Sequence, residues 1–452
     1  MRLQLSNPRP LRIAMISEHA SPLATLGSVD AGGQNIYVAH VARALAQAGH
    51  QVDVLTRRDD AALPDTVELA PRLRVCHVEA GPPCFVPKES LLPYMTAFAR
   101  NAGAIVERSG GYDVAHANFF MSGLVALKLQ QRYRLPLVMT FHALGLVRRE
   151  HQGAADAFPP ARIAIERQLV ERADCLIAEC PQDQADLVRL YGADEDRISM
   201  VPCGVDLETF SPRPRAQARR QLGWPEDEFI ILQLGRMVPR KGVDNVVEAL
   251  AALPAAVREK SRLVIVGGET PEPDEDRTPE IGRLRRLAAR LGVADRVWFA
   301  GQRQRDALAD CYAAADVFVT TPWYEPFGIT PLEAMACACP VIGSAVGGIR
   351  YSVADGVTGH LVPPREPAAL AQRLWQVYAN PEQARRMGRA GQQRVRARFT
   401  WERVADQLAR AYYSVLPPAA LQEEAGDSMP APLSAQLAEL LAQPALAAGV
   451  RA

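Results

Sequence analysis

Two consecutive series of short β-branched runs, separated by helical patterns, most constrain the fold of this 452-residue chain. The first series includes RIAMIS (12–17) and PLVMTF (136–141), and the second begins with FIILQLG (229–235). Strands that alternate with helices predict parallel sheets with helices on both faces. The proline- and arginine-rich run SPRPRA (211–216) separates the two series. The sequence therefore predicts an α/β protein with two Rossmann-like, doubly wound domains facing each other across a ligand cleft.

The same pattern sets the expected domain boundaries. We predict an N-terminal Rossmann-like domain at 1–212, which binds the acceptor, and a C-terminal one at 213–398, which binds the donor. A helix at 399–416 is expected to cross back to the first domain. The remaining residues, 417–452, are rich in alanine and proline, and we predict a mobile tail with a short amphipathic helix at 433–441.

Composition argues against several classes of protein. Hydrophobic residues make up 48% of the chain and charged residues 23%, which is ordinary for a globular protein. The formal net charge is zero, so nothing in the bulk charge points to nucleic acid. No window of about 18 apolar residues predicts a transmembrane helix, and no signal peptide is recognised. Eight cysteines without a C-x-x-C pair indicate reduced thiols, so we predict a cytoplasmic protein.

Two familiar phosphate-binding motifs are missing from the sequence. There is no G-x-x-x-x-G-K-[ST] run, which argues against a P-loop NTPase. No strand is followed by G-x-G-x-x-G, which weakens the prediction of a dinucleotide site. Two alternatives from other classes nevertheless stay open at this point. One is a nicotinamide oxidoreductase, and the other is a non-catalytic regulatory protein.

Two other features suit phosphate groups. Gly32-Gly33 ends the loop after the first strand and opens a helix, whose N-terminal amides could receive an anion. Gly235-Arg236 follows a later strand, with Lys241 close behind. Two unit charges 4 Å apart interact with about 4 kcal/mol at an effective dielectric of 20, so this cation pair could hold a diphosphate. The alternatives are a tight turn at the glycines and solvated turn charges at the cations.

The run EPFGITPLE carries Glu325 directly after a strand and Glu333 eight positions later. Thr330 at the N-cap with Glu333 three residues on would form a capping box, which is the structural alternative. The same geometry places the amides of Gly328, Ile329 and Thr330 at a positive helix end facing the cleft. Carboxylates at that position could bind sugar hydroxyls, so we predict part of an activated-sugar site.

Taken together, these motifs resemble the retaining glycosyltransferases of family four, which have the two-domain GT-B fold. The resemblance covers about residues 10–415 and is carried by two glutamates with seven residues between them, by GR at 235–236 with Lys241, by DAGGQN at 30–35 and by VPCGVD at 201–206. It implies transfer of a hexosyl group from a nucleotide-diphospho-sugar with retention of configuration.

The resemblance also implies roles for individual residues. It assigns the donor-sugar hydroxyls to Glu325, the ribose to Glu333, the departing diphosphate to Arg236 and Lys241, the phosphates to Gly33, and a position near the anomeric carbon to His142. The alternative for His142 is a hydrogen-bonded histidine in the core.

Within the family, the first domain looks most like the sucrose-phosphate synthases and the glycosyltransferases that act on inositol phosphate. The positions that match these branches are His19, Asn35, Lys88 and Arg162. Of these, Lys88 and Arg162 would bind an acceptor phosphate. Phe119 and Ala143 stand where the inositol-phosphate branch has a tyrosine and a hydroxyl residue, so the acceptor stays open.

The sequence thus predicts front-face transfer from a nucleotide-sugar, in the first place a UDP-sugar, to a sugar or cyclitol acceptor, with or without a phosphate. Asp274-Glu275-Asp276 has the D-x-D spacing of metal-using transferases. It lies in an acidic, proline-rich loop at 267–281 instead of at a strand end, so it is interpreted as solvated charge. No cofactor is predicted to be required, and Mg²⁺ is not predicted.

Overall fold

The computed structural model describes residues 9–23, 32–153 and 156–417. Pro10–Val415 form one compact unit. The second unit consists of the two ends of the chain and falls almost wholly outside the described residues. The predicted mobile tail therefore lies outside the described residues from 418 onward, as does the short helix at 433–441.

The first half of the compact unit is built on a sheet of eight strands in the order β3-β4-β2-β1-β5-β6-β7-β8. Its strands are β1 (Arg12–Ile16), β2 (Gln51–Arg57), β3 (Thr66–Ala70), β4 (Leu73–Val78), β5 (Val114–Asn118), β6 (Leu137–Thr140), β7 (Cys175–Ala178) and β8 (Ile198–Met200). Neighbouring strands are parallel except β3 and β4, which are antiparallel. The central strands are buried almost throughout, as continuous apolar runs in a parallel sheet require.

The second half is built on a parallel sheet of six strands in the order β11-β10-β9-β12-β13-β14. Its strands are β9 (Phe229–Leu234), β10 (Ser261–Val266), β11 (Val297–Gly301), β12 (Val317–Thr320), β13 (Val341–Ser344) and β14 (Gly359–Val362). Two α/β sheets of this kind were predicted, and the prediction is confirmed.

Helices connect the strands and pack on the sheets. Those of the first half are α1 (Gly33–Gln47), α2 (Met95–Arg108), α3 (Phe120–Tyr133), α4 (Gly145–Gln152), α5 (Ala161–Arg172) and α6 (Pro181–Tyr191). Those of the second half are α7 (Arg215–Leu222), α8 (Val243–Ala251), α9 (Ala255–Arg258), α10 (Pro279–Arg290), α11 (Arg305–Ala314), α12 (Thr330–Ala336), α13 (Gly347–Ser352), α14 (Pro367–Ala379), α15 (Pro381–Arg398) and α16 (Trp401–Val415). Short 3₁₀ turns cover Lys88–Ser90, Leu92–Tyr94, Glu195–Arg197, Pro239–Lys241 and Ala294–Arg296.

The last helix, α16, returns to the first half and packs against α1. The hydroxyl of Tyr412 lies 2.7 Å from Nδ1 of His116 inside the first sheet. The amide of Val205 donates to the carbonyl of Phe399 at 2.9 Å, so the two segments that cross between the halves run side by side.

Both sheets reverse their strand order once, between β1 and β5 in the first and between β9 and β12 in the second. Ligands of open α/β sheets bind outside the carboxyl ends of the strands at such switch points. At the first one, Nε2 of Gln34 reaches Oγ of Ser17 at 3.3 Å and the carbonyl of Asn118 at 3.2 Å. The fold therefore places the two switch points, where ligands are expected to bind, at edges of the two sheets that face each other.

Candidate active site

A cleft of about 480 Å³ lies where the carboxyl ends of the two sheets face each other. It is lined by residues of both halves of the compact unit. The predicted site residues found in its lining are His19, Gly33, Asn35, Lys88, His142, Arg236, Lys241, Glu325, Gly328, Ile329, Thr330 and Glu333. The only predicted site residue outside this lining is Arg162.

Lys241 and Glu325 meet inside the cleft. Nζ of Lys241 makes an ion pair with Oε2 of Glu325, and Nη1 of Arg240 lies 4.0 Å from the same oxygen. The backbone makes this possible at Gly242, which has a φ of +64°. A Cβ atom there would lie 2.0 Å from the carbonyl oxygen of Thr321, so only glycine lets the Lys241 loop approach the end of β12.

Burial and charge shift the pKa values of this pair. Burial lowers the pKa of Lys241 to about 8, although the carboxylate of Glu325 opposes the shift. Burial alone would raise the pKa of Glu325, but the charges of Lys241, Arg240 and Arg236 outweigh burial and lower it. The pair is therefore an ammonium beside a carboxylate at neutral pH, and a ligand that brings both a diphosphate and hydroxyl groups could bind to each member.

Glu333 does not cap its helix. Helix α12 begins at Thr330 after Ile329, and no side chain caps it. Instead, the Glu333 carboxylate turns to α11, where Oε1 accepts from Nη1 of Arg305 and Oε2 from the hydroxyl of Tyr312, both at 3.0 Å. Burial raises the pKa of Glu333, and Arg305 opposes that shift. The capping-box alternative is therefore not realised, because both oxygens of Glu333 are engaged by side chains of α11.

On the opposite wall, α1 begins at Gly33. The position that a Cβ atom of Gly33 would take lies 3.9 Å from Cδ1 of Ile329, so the two glycine-containing loops face each other closely. Asn35 has its amide already engaged, because Oδ1 accepts from the amide of Gly32 at 3.0 Å and Nδ2 donates to the carbonyl of Ser21 at 3.1 Å. Asn35 therefore shapes the loop before α1.

His142 follows β6 with a φ of +58°, in the left-handed region that residues other than glycine seldom adopt. Its Nδ1 lies 3.0 Å from Oε1 of Glu179, and its Nε2 lies 3.0 Å from Oδ1 of Asn118. The ring of Tyr37 packs edge-on against it, with centroids 4.7 Å apart. His142 is therefore hydrogen-bonded on both ring nitrogens, as the core alternative supposed, yet it lines the cleft.

The predicted acceptor end of the cleft carries His19 and Lys88, together with a cation that was not predicted. Nδ1 of His19 lies 2.7 Å from Oε1 of Glu18. Arg148 also lines the cleft, and its Nη2 donates to Oδ1 of Asp156 at 2.8 Å. Sequence reasoning missed Arg148, for which the available signal was weak, namely that it lies six positions after His142.

Arg162 lies behind the wall of the cleft. Its side chain is 1% exposed, its Nε donates to Oε1 of Glu166 at 2.7 Å, and Nη2 donates to the carbonyl of Ala143. The rings of Phe119 and Phe158 cover the guanidinium, with centroids 4.9 and 4.6 Å from Cζ, and both rings line the cleft. This placement differs from the expected one on the cleft surface, because the carboxylate one helical turn away and the aromatic rings draw the cation inward.

Further cations line the second-domain wall of the cleft without having been predicted. They are Arg240, Arg303 and Arg305. Arg240 could have been found, since it precedes Lys241 in the sequence. Arg305 lies 28 positions before the glutamate that it binds, and only the packing of α11 beside α12 brings them together.

The side chains of the D-x-D run make contacts within their own loop and with α10. Oδ1 of Asp274 accepts from the amides of Asp276 and Arg277 at 2.8 and 3.1 Å, and Glu275 pairs with Arg285 at 2.6 Å. Among the described residues, no group of three or more histidines, cysteines and acidic residues is placed to hold a metal ion. In the same part of the chain, no helix has the length and apolar character needed to cross a membrane.

Comparison with known proteins agrees with this geometry. Residues 31–209 match the model described as Glycosyltransferase Family 4, and residues 214–394 match the model described as Glycosyl transferases group 1. The chain is 40% identical over 418 residues to the D-inositol 3-phosphate glycosyltransferase of Streptomyces bingchenggensis (strain BCW-1), with 91% of each protein covered. It is 42% identical over 368 residues to the protein of the same name from Acidothermus cellulolyticus, with 80% of this chain and 81% of that protein covered.

Among solved structures, a sucrose-phosphate synthase from Thermosynechococcus elongatus is similar to this chain with a TM-score of 0.81 and 38% identity, over 90% of this chain and 99% of that one. The fold and the site define a glycosyltransferase with two facing Rossmann-like domains. The chain belongs to glycosyltransferase family 4 and has the GT-B fold, as the resemblance predicted. Family membership decides against the nicotinamide oxidoreductase and the non-catalytic regulator.

Proposed function

We propose that this protein transfers a hexosyl group from a nucleotide-diphospho-sugar, in the first place a UDP-sugar, to a phosphorylated sugar or cyclitol, with retention of configuration. The observation that carries the proposal is the Lys241–Glu325 ion pair, which lies in a cleft opposite the N-terminus of α1. A cation, a carboxylate and a helix N-terminus in one cavity suit a diphosphate joined to a sugar.

The donor diphosphate would lie between the two walls. Arg236 and Lys241 approach it from the second domain, and the first-turn amides of α1, beginning at Gly33, approach it from the first. When a diphosphate forms an ion pair with Lys241, the carboxylate of Glu325 loses its own ion pair with that lysine. It then becomes available to accept hydrogen bonds from the hydroxyls of the sugar. Donor binding thus replaces one ion pair with two sets of charge-assisted contacts.

The nucleoside end would lie along α12. Each oxygen of Glu333 accepts one hydrogen bond from the protein and has a lone pair left for a ribose hydroxyl. The backbone of Gly328, Ile329 and Thr330 lines the cleft at the start of the same helix. This arrangement supports a division of roles in which Glu333 binds the ribose and Glu325 binds the transferred sugar.

Transfer would proceed on one face of the sugar. The acceptor hydroxyl oxygen bonds to the anomeric carbon as the bond to the diphosphate oxygen breaks on the same side, and the acceptor proton passes to that phosphate oxygen. Arg236 and Lys241 stabilise the charge that develops on the leaving diphosphate. Glu325 is already bound by a lysine in the free protein, so it is poorly suited to act as the second carboxylate of a hydrolase pair. The reaction as proposed requires no metal, and EDTA should leave most of the turnover intact.

The acceptor end is proposed from Lys88 and Arg148. Both line the cleft beside His19 and Phe158. Two cations at one end of a cavity suit a phosphate monoester. Relatives named for D-inositol 3-phosphate and for sucrose phosphate support a phosphorylated substrate. Arg162 would act from behind the aromatic rings, by holding the wall in place.

A two-stage binding screen tests this proposal. Nucleotide sugars are first compared by thermal shift, and sugar and cyclitol phosphates are then compared in the presence of the best donor. A ligand at 100 times its dissociation constant should stabilise the protein by about 2.7 kcal/mol. NMR of the product should show that the anomeric configuration of the donor is kept. Stabilisation by NAD with none by any nucleotide sugar, or a product of inverted configuration, would contradict the proposal.

A further inference from the structure

Helix α4 is tied to the first half of the compact unit at its beginning. The amide of Gly145 donates to the carboxylate of Glu166, at 3.1 Å from Oε1 and 3.0 Å from Oε2, and the amide of Leu146 donates to the hydroxyl of Tyr191 at 2.9 Å. These contacts satisfy two of the amides that a helix leaves without a partner in its first turn. The first turn of α4 therefore has a fixed place on the first half.

The last turn of α4 is tied to the second half. Nε2 of Gln152 donates to the hydroxyl oxygen of Tyr324. The ring of His151 stacks on the ring of Tyr324, with centroids 4.8 Å apart and an angle of 16° between the planes. Tyr324 is 6% exposed and directly precedes Glu325. One short helix thus connects the wall that carries Glu325 with the opposite wall.

The segment that carries Tyr324 is fixed on the second sheet. The amide of Gly348, at the start of α13, donates to the carbonyl of Pro326 at 3.1 Å. Gly347 has a φ of +44°, and a Cβ atom there would lie 1.8 Å from the carbonyl oxygen of Glu325. Such a close approach of two backbone segments requires glycine. Tyr324 therefore keeps its place relative to the second sheet.

Arg148 lies between the two ends of α4. It precedes Gln152 by four positions, so the two side chains lie on the same face of the helix. Asp156, four positions after Gln152, accepts from Nε of Arg148 at 3.1 Å and from Nη2 at 2.8 Å. A helix of eight residues is too short to be stable by itself in water. The position of Arg148 therefore depends on the contacts at both ends of α4.

We infer that Tyr324 is a positioning residue, which holds the last turn of α4 against the second half and so sets the distance between Arg148 and Glu325. This role rests on the proposed function, in which Arg148 binds the acceptor phosphate and Glu325 binds the donor sugar. The contact between α4 and Tyr324 does not rest on it. Because transfer requires acceptor and donor in close and exact alignment, a displaced Arg148 would weaken productive binding of the acceptor.

Two variants break the contact from opposite sides. Tyr324→Phe removes the oxygen that accepts from Gln152 and keeps the ring that His151 contacts. The guanidinium of Arg240, whose Cζ lies 5.3 Å from the ring centroid, also keeps its partner, so the surroundings of Glu325 are retained. Gln152→Ala removes the donor. Alanine has a higher helix propensity than glutamine, so this variant does not weaken α4 through propensity.

Amide hydrogen exchange of the full-length protein, followed by mass spectrometry, tests the contact without any substrate. In both variants we expect faster exchange than in the wild type at residues 149–152, whereas the first two amides of α4 keep their protection. The control is Tyr133→Phe, which removes a hydroxyl that donates to the carbonyl of Gly103 at 3.1 Å within the first half. It should leave the exchange of α4 unchanged.

Unchanged exchange at residues 149–152 in Gln152→Ala would overturn the inference, even if Tyr324→Phe fails to fold. Wild-type amides that exchange there at the rate of an unprotected chain would overturn it too. An equal rise at both ends of α4 would also overturn it, since that result would reflect a general loss of stability.

Steady-state kinetics test the consequence for transfer. Each variant should raise the acceptor KM by about 2–10-fold, as expected for the loss of one neutral hydrogen bond, and leave the donor KM unchanged. The double variant should match either single one, because both changes remove the same contact. Additive effects, an unchanged acceptor KM or an equal rise in the donor KM would contradict the positioning role. Absence of any transferase activity in the wild type would count against the proposed function and leave the exchange result standing.

Discussion

On the second-domain wall of the cleft, Lys241 and Glu325 face each other with side chains 20% and 13% exposed, whereas on the first-domain wall Arg162 and Glu166 face each other at 1% and 0%. Both are cation–carboxylate pairs at sites where the sequence predicts ligand contacts. A pair that opens onto a cavity can exchange its partner for a ligand. A pair enclosed behind Phe119 and Phe158 cannot do so without moving the wall. Exposure therefore separates two similar pairs, and we propose that the one on the second-domain wall binds a ligand while the one on the first-domain wall stabilises the structure.

The largest expected effect is on stability and comes from the enclosed pair. Glu166→Ala leaves the guanidinium of Arg162 buried without its carboxylate, and breaking such a pair costs about 3–5 kcal/mol. Guanidinium denaturation should show this as a lower free energy of unfolding. The control is Asp406→Ala, which breaks the exposed pair with Arg410 at the same i,i+4 spacing, with a distance of 2.8 Å. That variant should lose no more than about 1 kcal/mol. If the two variants lost equal free energy of unfolding, the enclosed Arg162–Glu166 pair would not have the structural role that distinguishes it from the pair in the cleft.

The pair that opens onto the cleft should affect catalysis instead. Lys241→Ala removes a charge that stabilises the leaving diphosphate, so kcat/KM for the donor should fall by about 10²–10³-fold. Steady-state kinetics with varied donor measure this effect. Lys260→Ala, which removes a lysine on the exposed surface, serves as the control and should leave kcat/KM unchanged. A Lys241→Ala enzyme within a few-fold of the wild type would place the diphosphate elsewhere.

A smaller effect is expected at Arg148, the arginine that lines the cleft, in contrast to Arg162, which lies behind its wall. A hydrogen bond to a charged group contributes about 1.5–3 kcal/mol, so Arg148→Ala should raise the acceptor KM by about 10–100-fold and leave the donor KM unchanged. Arg149→Ala, on the exposed face of the same helix, is the control. If Arg148→Ala leaves the acceptor KM unchanged, the acceptor phosphate does not bind at Arg148. Lining the cleft would then not distinguish a binding arginine from an enclosed one such as Arg162.

The smallest effect is the pH dependence of the donor side. The pKa of Lys241 is lowered to about 8, so its ammonium form is present below that pH and is lost as the pH rises through it. We expect kcat/KM for the donor to decline above about pH 8, because this parameter reports the free enzyme. Lys241→Arg, whose guanidinium stays charged, should move the decline to higher pH. A wild-type profile that stays flat well above pH 8 would contradict the expected environment of Lys241.

The second-domain wall, where we propose that the donor binds, was predictable because its residues lie in short contiguous motifs. Once a strand is placed before Gly235 and another before Glu325, the parallel sheet brings Arg236, Lys241 and Glu325 to one edge. The partners of Glu333 were not predictable, since Arg305 and Tyr312 lie on α11 and reach it only through helix packing.

On the first-domain wall, where we propose that the acceptor binds, sequence reasoning did not place the side chain of Arg162 correctly. The resemblance pointed to Arg162, but its orientation depends on Glu166 one turn later, on Phe158 four residues earlier and on Phe119, which is distant in sequence. Two strands were also missed. β3 is an antiparallel edge strand with partly exposed residues, and β14 is four residues long and begins with a glycine, so neither shows the buried β-branched pattern that predicted the others.

The most direct test of the central claim is the release of nucleoside diphosphate from a panel of nucleotide sugars, with and without sugar and cyclitol phosphates. We predict that one nucleotide sugar releases its diphosphate at a rate that rises with one phosphorylated acceptor, and that this rate is lost in Lys241→Ala. Release that does not depend on any acceptor, or the same acceptor-dependent rate in Lys241→Ala, would contradict the role assigned to the Lys241–Glu325 pair.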